Sequence, residues 1–373
     1  MPDMPAGGEK PPARGRGERS DLLDAVRGVA VCMILATHLW VPLPTDTILW
    51  HIAPVVDPLM GLSWTGVDLF FILSGYLICG SLLDNRGAGT YFSVFYGRRT
   101  FRILPLYAMM LGLAAATSSL VYPLAHLTFT QNFAFSWARH WGPDSTGVTW
   151  SLAIEEQFYL ILPFLVRFSA SRRLPYLFLA AIAVAPITRM SIMAWADNYY
   201  AAYLLMPCRM EGLFMGALLA WAIRDLDARA WLRAHRHWLD GALIALGLGY
   251  IFLLFYSPGL KTAPMWSVGY TWCACFYAVI LTRLLLRPNW VAVSRFWRVV
   301  CWFGVRAYAL YLFHVPLARV LDTWGLPVHG LANAVLASIG IVAIAAVSWW
   351  MVEKPLLAFE RHRFRYQPSR LTT

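Results

Sequence analysis

Charged residues are scarce in this chain of 373 residues: Asp, Glu, Lys and Arg together make up 14% of it. An ordinary soluble domain has about a quarter of its residues charged, so the shortage argues against one. Apolar residues take their place: 59% of the chain is hydrophobic, 18 residues are tryptophan, and the mean hydropathy is +0.55. This composition predicts an integral membrane protein.

Acidic residues are scarcer than basic ones, with 20 Asp and Glu against 31 Lys and Arg. The basic residues recur in every second loop, as they do in cytoplasmic loops of membrane proteins, and the alternate loops contain little more than Arg139, Arg189 and Lys261. The net charge of +11 is therefore explained by topology and by attraction to membrane lipid headgroups, with no nucleic-acid partner. The pattern predicts a multi-pass membrane protein with both termini in the cytoplasm.

Metal-ligand spacings are missing from the sequence. The six cysteines do not follow the pattern of a zinc site, and Cys273 and Cys275, two residues apart, point to different faces of a helix. We interpret all six as small apolar packing residues and expect no metal and no bound cofactor. The chain also has no evident internal repeat and no connection long enough to form a second domain.

Apolar segments long enough to cross about 30 Å of hydrocarbon recur along the chain. We predict an all-α fold, a polytopic membrane protein with about ten transmembrane helices around a central cavity. The predicted spans are residues 22–42, 62–83, 102–122, 150–168, 174–191, 203–223, 239–256, 265–286, 300–320 and 331–352. We expect a disordered cytoplasmic tail over 1–20, a membrane domain over 21–355 and a basic cytoplasmic tail over 356–373.

Two polar side chains that are costly in a membrane lie in the first span. Arg27 and His38 are eleven residues apart, about three helical turns, so they share one face at a separation of about 16 Å. Asp24 lies three residues before Arg27, a spacing that permits an ion pair. Because histidine transfers protons near neutral pH, His38 is a candidate catalytic base. The alternative is a core histidine with both ring nitrogens satisfied.

Small and basic residues mark the next two spans. Ser74 is followed by Gly75, which is typical of close helix packing; a serine nucleophile would need a base from another helix. Arg99 and Arg102, together with Arg98, precede the third span. They serve either as topological anchors or as an anion site for a phosphate-bearing donor.

Two further segments carry polar groups into apolar surroundings. Trp150, Ser151, Glu155 and Glu156 open the fourth span. The acids there complement the helix dipole, orient an imidazole, or accept a sugar hydroxyl. In the ninth span polar side chains recur every three residues, which favours a wet cavity. They are Tyr308, Tyr311 and His314. Other ionisable residues within predicted spans are Asp68, Arg209 and Glu211.

Seven segments, in this order, resemble motifs of the acyltransferase 3 family of integral membrane acyltransferases, which acylate exported glycans. They are "LDAVRGVAVCMILATH", "FFILSGYL", "RRTFRILP", "WSLAIEEQFYLILP", "RMEGLFMGALLAW", "YALYLFHVPL" and "VEKP". The resemblance implies a ten-helix membrane domain in the cytoplasmic (inner) membrane of a bacterium, an essential histidine in the first helix, here His38, and acyl-CoA as the usual donor. The chain looks like a stand-alone member of this family, without a fused SGNH hydrolase-like domain.

Residues and resemblance together predict an O-acyltransferase. It moves an acyl group, by family frequency acetyl from acetyl-CoA, from the cytoplasm to a hydroxyl of an extracytoplasmic or lipid-linked glycan or a glycosylated small molecule. We expect His38, as general base or transient acyl carrier, to act with Arg27 and Glu155. Arg27, Arg99 and Arg102 bind the donor. The expected acceptor or cavity residues are Ser74, Trp150, Ser151, Glu156, Tyr308, Tyr311 and His314.

Two other classes of function remain open from the sequence. A glycolipid or proton-coupled transporter or flippase also uses buried His, Arg and Glu, although the inverted repeat and paired broken helices of many carriers are not evident. A structural scaffold of an export complex has no need for Arg27 and His38 on one helix face. The sequence leaves the acceptor and the oligomeric state open.

Overall fold

The structure is a computed structural model that describes residues 16–39, 51, 53–117, 120–143, 145–257, 259–286, 294–323 and 331–368. Within these ranges the chain is helical, and its β-type pairing is an isolated bridge between Ala88 and Pro368. The predicted all-α fold is therefore confirmed.

The helices follow one another with short connections. They are α1 (Arg16–Leu39), α2 (Ala53–Gly61), α3 (Gly66–Asp84), α4 (Tyr91–Ala116), α5 (Pro123–Leu127), α6 (Gln131–Trp137), α7 (Trp150–Phe168), α8 (Leu174–Ala196), α9 (Tyr199–Leu204), α10 (Met206–Arg209), α11 (Glu211–Arg224), α12 (Leu226–Ala234), α13 (Arg236–Tyr256), α14 (Tyr270–Leu286), α15 (Arg295–Val305), α16 (Ala307–Thr323), α17 (Leu331–Ser348) and α18 (Lys354–Arg363). Single turns of other helix types precede α3 (Ser63–Thr65), α7 (Gly147–Thr149), α14 (Met265–Gly269) and α18 (Trp349–Glu353).

The expected count of ten spans is not confirmed. Six helical segments of the described chain are long and apolar enough to cross a membrane, and a seventh is obtained if α15 and α16, which meet at an angle of 71°, form one broken span. Every predicted span has helix at its place, but α4 and α7 fall short because the arginines and glutamates of their sequences interrupt the apolar run. The span predicted over 203–223 is broken into α9, α10 and α11, of which the last has 14 residues.

Helix α3 lies at the centre of the bundle, against α1, α7, α11 and α14. Its closest neighbour is α11, and two glycines permit the approach. A Cβ added at Gly75 would lie 1.9 Å from the carbonyl oxygen of Leu213, and one added at Gly216 would lie 2.1 Å from that of Ile72. Small residues that let helix backbones meet are a common packing device in membranes. The packing interpretation of Gly75 is thus correct, and it leaves the neighbouring Ser74 free for the other face of α3.

The chain end returns to the start of α4. Arg98 donates from Nη2 to the carbonyl of Phe364 at 2.8 Å and lies 3.6 Å from Glu360, and the Gln367 amide donates to Thr90 at 2.9 Å. Of the three arginines that open the third predicted span, Arg98 thus holds α18 in place. The predicted division into tails and membrane domain stays a prediction, and residues 1–15 and 369–373 lie outside the described chain.

Arg189, counted above among the few basic residues of the alternate loops, lies inside the helical bundle instead. Helix α8 continues to Ala196, five residues beyond the predicted boundary, and the Arg189 side chain is fully buried in the bundle. It donates to Glu211 at 2.7 Å, to the Trp266 carbonyl at 2.6 Å and to Thr271 at 2.9 Å. An arginine in apolar surroundings needs such partners. From the sequence, Arg189 was interpreted as part of the loop charge pattern. The interpretation failed because the partners of Arg189 lie on other helices, which the sequence does not show.

Candidate active site

Two cavities lie side by side in the bundle, and most predicted site residues line one or the other. The first, here called the arginine cavity, has a volume of about 300 Å³. It is bounded by α1, α3, α4, α7, α15, α16, α18 and the turn Trp349–Glu353. Its polar lining comprises Arg27, Ser74, Arg99, Arg102, Ser151, Glu155, Tyr159, Tyr308, Tyr311 and Glu353. Five helices that are distant in sequence thus bring their polar faces to one place.

The arginines of this cavity differ in how they are neutralised. Arg27 donates to Asp24 at 2.7 Å, one helical turn away on α1, which confirms the expected ion pair. Among the described residues no carboxylate oxygen lies within 4 Å of Arg99 or Arg102. Arg99 instead lies 5.7 Å from the centre of the Tyr159 ring. Two cations therefore line the cavity without a carboxylate in direct contact among the described residues, although Glu155 and Glu353 line the same cavity. Their hydrogen-bond donors suit an anionic ligand.

A short hydrogen-bond chain crosses the arginine cavity. The Tyr159 hydroxyl donates to Glu155 Oε2 at 3.0 Å and lies 2.8 Å from Ser74 Oγ. Because the Tyr159 proton is used by Glu155, Ser74 donates to Tyr159. Tyr159 was not a predicted site residue, although its position four residues after Glu155 places both on one helix face.

The second cavity, here called the histidine cavity, has a volume of about 310 Å³ and contains His38 in its wall. The wall is otherwise rich in aromatic side chains, with Trp64, Trp141, Trp150 and Tyr203. Their rings are packed edge to face or tilted: the centre of the Tyr203 ring lies 5.0 Å from that of Trp141 and 4.8 Å from that of Trp150. Rigid aromatic walls of this kind offer flat apolar surface with polar edges.

Tyr311 and Val67 are common to both cavities. The Tyr311 hydroxyl donates to the Val148 carbonyl at 2.6 Å and lies 2.5 Å from Ser151 Oγ. These contacts join α16 to the turn Gly147–Thr149 and to the start of α7. The Tyr311 side chain therefore forms part of the partition between the arginine and histidine cavities.

His38 is exposed in the histidine cavity, and its ring contacts a second histidine. The distance between Nδ1 of His38 and Nε2 of His314 is 3.2 Å. Nδ1 of His38 also lies 3.1 Å from the Ile34 carbonyl oxygen on its own helix. The expectation that Glu155 orients the imidazole is not met in the described contacts, because Glu155 bonds to Tyr159 in the other cavity. Its carboxylate is held on α7 at the level of Ser74.

The predicted face of α1 is divided between the cavities. Arg27 lines the arginine cavity and His38 the histidine cavity, so one helix connects the two. On α16, Tyr308 lines the arginine cavity and donates to the Ile103 carbonyl at 2.9 Å, Tyr311 lines both, and His314 stands behind His38. Glu156 lines neither cavity: its Oε1 is buried without a hydrogen-bond partner among the described residues.

Two buried ion pairs lie beside the histidine cavity and support its wall. Arg209 donates to Asp68 at 2.6 Å, and its guanidinium stacks 4.6 Å from the Tyr203 ring centre and 4.3 Å from that of Tyr270. Arg189 and Glu211 form the second pair. Of the predicted intramembrane candidates, Asp68 and Arg209 thus pair with each other and Glu211 pairs with Arg189, and none of the three lines the arginine or histidine cavity.

Curated relatives share this chain's sequence at low identity. The peptidoglycan O-acetyltransferase OatA of Listeria monocytogenes is 25% identical over 370 residues, which cover 90% of this chain and 55% of the relative. A candidate peptidoglycan O-acetyltransferase of Bacillus subtilis, YrhL, is 28% identical over 333 residues, covering 79% of this chain and 50% of the relative. The chain spans about half the length of these relatives. No solved structure matches it.

A family model described as an acyltransferase domain matches residues 21–353, which include every residue named above as lining the two cavities. This match and the long apolar helices together make the protein a multi-pass membrane protein. The chain therefore belongs to the acyltransferase 3 family.

Proposed function

We propose that this protein is a membrane O-acetyltransferase that moves an acetyl group from acetyl-CoA in the arginine cavity to a glycan hydroxyl in the histidine cavity. One observation carries the proposal: α1 contributes Arg27 to one cavity and His38 to the other, and Tyr311 and Val67 belong to both. A donor and an acceptor bound in these cavities meet at their shared wall.

The charge of the arginine cavity supports an anionic donor. Arg99 and Arg102 have no carboxylate partner among the described residues, so each guanidinium is available to a phosphate. Acetyl-CoA carries phosphates at one end and a thioester at the other. Arg27 and His38 are about 16 Å apart along α1, a distance that an extended pantetheine arm spans.

The aromatic wall of the histidine cavity supports a sugar acceptor. Trp141 is half-buried and presents ring surface on which the apolar face of a sugar ring packs, while the buried rings of Trp150 and Tyr203 hold it from behind. The names of the bacterial relatives point to peptidoglycan, so we propose a peptidoglycan glycan as the acceptor class. A hydroxyl of that sugar then lies next to His38.

The proposed reaction forms one ester and breaks one thioester. The acceptor oxygen attacks the acetyl carbonyl carbon as His38 takes the hydroxyl proton, and the carbon–sulfur bond then breaks. The thiolate takes the proton from His38, which leaves coenzyme A and the acetylated glycan. Alternatively a nitrogen of His38 attacks first, and the acetyl group passes from the histidine to the glycan. Both routes return His38 to its initial state.

We also propose that the arginine cavity faces the cytoplasm of a bacterial cell and that both termini lie there. The alternating basic loops support this orientation. A green fluorescent protein fused after residue 373 is expected to fluoresce, and alkaline phosphatase fused at the same residue is expected to be inactive. The reverse pattern would place the donor cavity on the wrong side for cytoplasmic acetyl-CoA.

Transfer by the purified protein tests the function. Protein in detergent is incubated with acetyl-labelled acetyl-CoA and a peptidoglycan-derived oligosaccharide, and label in the glycan is measured. The His38→Gln variant is expected to lose at least about 100-fold in turnover, as expected of a lost general base. His237→Gln is the matched control because His237 is exposed and outside both cavities.

Two results would contradict the proposal. A folded His38→Gln variant with normal turnover would remove His38 from the chemistry. A wild-type protein that transfers no label in detergent, but moves a glycolipid or protons across a reconstituted bilayer, would identify the carrier that the sequence also permits.

A further inference from the structure

Two histidines from different helices are in ring contact beside the histidine cavity, and they differ in exposure. His38 on α1 is exposed, whereas His314 on α16 is fully buried. Their ring centres are 4.7 Å apart and their planes meet at 68°, with Nε2 of His314 3.2 Å from Nδ1 of His38. An edge-on contact of this kind puts a ring N–H of one imidazole toward the nitrogen lone pair of the other.

The surroundings of His314 determine which of its nitrogens carries the proton. Its Nδ1 lies 2.6 Å from the carbonyl oxygen of Tyr311, and a carbonyl oxygen only accepts hydrogen bonds. Nδ1 of His314 is therefore the N–H donor. A neutral imidazole has one N–H, so Nε2 of His314 is left as an acceptor that faces His38.

The acceptors around His38 likewise determine which of its ring nitrogens carries the proton. Its Nδ1 faces two acceptors, Nε2 of His314 at 3.2 Å and the Ile34 carbonyl at 3.1 Å. Both require a proton on Nδ1 of His38, and none of the described residues requires one on Nε2. The basic lone pair of His38 is then on Nε2, the nitrogen remote from His314.

We propose that His314 is a positioning residue that, together with the Ile34 carbonyl, holds His38 as the Nδ1–H tautomer and so leaves Nε2 of His38 as the atom that takes the acceptor proton. The proposal rests on the proposed function. In the reaction the hydroxyl proton moves to Nε2 of His38, and the resulting imidazolium keeps its Nδ1–H bond to the neutral His314. The proton then leaves Nε2 for the thiolate sulfur, and the proton on His314 stays in place throughout.

The burial of His314 keeps its ring in place and neutral beside His38. Buried between Tyr311 and His38, the ring is held by a carbonyl on one side and by an imidazole on the other. If His38 becomes a cation, a second charge on His314 at this distance would be strongly repelled. The pair therefore takes up one proton, on the histidine that lines the cavity. This is the role that a buried carboxylate has in other catalytic pairs, performed here by a neutral ring.

Two variants at residue 314 separate hydrogen bonding from packing. His314→Phe keeps a flat ring but removes the acceptor, and we expect turnover to fall about 100-fold, in line with the cost of a misplaced or wrongly protonated base. His314→Gln places an amide oxygen near the position of Nε2, and we expect it to recover most of that loss. In both variants KM for acetyl-CoA is expected to stay within about twofold of the wild type, since the arginine cavity is unchanged.

Nitrogen-15 NMR of histidine-labelled protein without substrate reads the tautomer directly. The chain has nine histidines, and the His38 signals are identified by their absence in His38→Gln. We expect a protonated Nδ1 and an unprotonated Nε2 at His38 in the wild type, and an increased fraction of the Nε2–H form in His314→Phe.

The outcomes of the two experiments are distinguishable from failure of the proposed function. A wild-type His38 protonated on Nε2, or a His314→Phe variant with normal turnover, overturns the inference even if His38→Gln is inactive. Conversely, an active His38→Gln variant overturns the proposed function, while the NMR result still decides the tautomer. Each variant must elute as a monodisperse species and unfold at the wild-type temperature. If His314→Phe misfolds, His314→Gln is compared with the wild type by NMR. Loss of the His38 Nδ1–H signal in His314→Gln, which retains an acceptor, contradicts the inference.

Discussion

Two pairs of arginines lie in the helical bundle, and they differ in what neutralises them. Arg189 and Arg209 are fully buried and each donates to a carboxylate, Glu211 and Asp68 respectively, at 2.7 and 2.6 Å. Arg99 and Arg102 line a cavity and have no such partner among the described residues. The same side chain thus serves structure in one region and ligand binding in the other.

The difference follows from the cost of charge in apolar surroundings. A buried guanidinium without a partner is unfavourable by several kcal/mol, so an arginine in the bundle needs either a carboxylate or access to water and ligand. The first solution links helices: Arg209 on α10 joins α3 through Asp68. The second leaves the binding energy of the arginine available to a phosphate. Three predictions follow from this contrast.

The largest effect is expected where a buried pair is broken. Arg209→Met leaves the Asp68 carboxylate buried without its partner and should lower the free energy of unfolding by about 3–5 kcal/mol. Thermal unfolding of the detergent-solubilised protein measures this. Activity per folded molecule is expected to change far less than the yield of folded protein.

The double variant Asp68→Leu with Arg209→Met is the control. Replacing both partners by apolar groups removes the unpaired charge, so most of the stability should return. If the single variant is as stable as the wild type, Arg209 is not a structural arginine and the contrast between the two regions fails.

The sequence predicted parts of this contrast and missed others. The period of 3.6 residues placed Arg27 and His38 on one face of α1, and the spacing of three placed Asp24 next to Arg27; both predictions concern a single helix. Long apolar segments were likewise sufficient to place helices. Such features depend on neighbours within about three turns of one helix, which a sequence displays directly.

Contacts between helices could not be predicted from the sequence. Nothing in the sequence near Arg189 indicates Glu211 or Trp266, and nothing near His38 indicates His314, which is 276 residues away. Glu155 was expected either to orient the His38 imidazole or to bind the acceptor, and α7 directs its carboxylate to Tyr159. Which polar residues meet is decided by the packing of α1, α7 and α16 around α3, which a single sequence does not specify.

An intermediate effect is expected in the arginine cavity. Arg99→Ala and Arg102→Ala each remove a charged hydrogen-bond donor worth about 1.5–3 kcal/mol, so KM for acetyl-CoA should rise by about 10- to 150-fold. The unfolding temperature should stay close to that of the wild type because no protein carboxylate loses its partner. Steady-state kinetics with varied acetyl-CoA measures KM.

Arg172→Ala is the matched control, since Arg172 is exposed and outside both cavities. If the Arg99 and Arg102 variants unfold as readily as Arg209→Met while KM is unchanged, these arginines are structural and the arginine cavity is not a donor site.

The smallest effect is expected at Arg27, which belongs to both classes because it lines the arginine cavity and is paired with Asp24. Both side chains are partly exposed, at 22% and 16%, so the ion pair contributes about 0–1 kcal/mol to stability. Asp24→Asn should therefore leave the unfolding temperature nearly unchanged.

The Asp24→Asn substitution also frees Arg27 from a competing carboxylate. A phosphate-bearing donor should therefore bind a few-fold more tightly, which is measured as a lower KM for acetyl-CoA at low ionic strength. The gain should shrink in high salt, because added ions screen a partly exposed arginine. A higher KM in Asp24→Asn would mean that the carboxylate holds Arg27 in its binding position, and Arg27 would then belong with the paired arginines in this one respect.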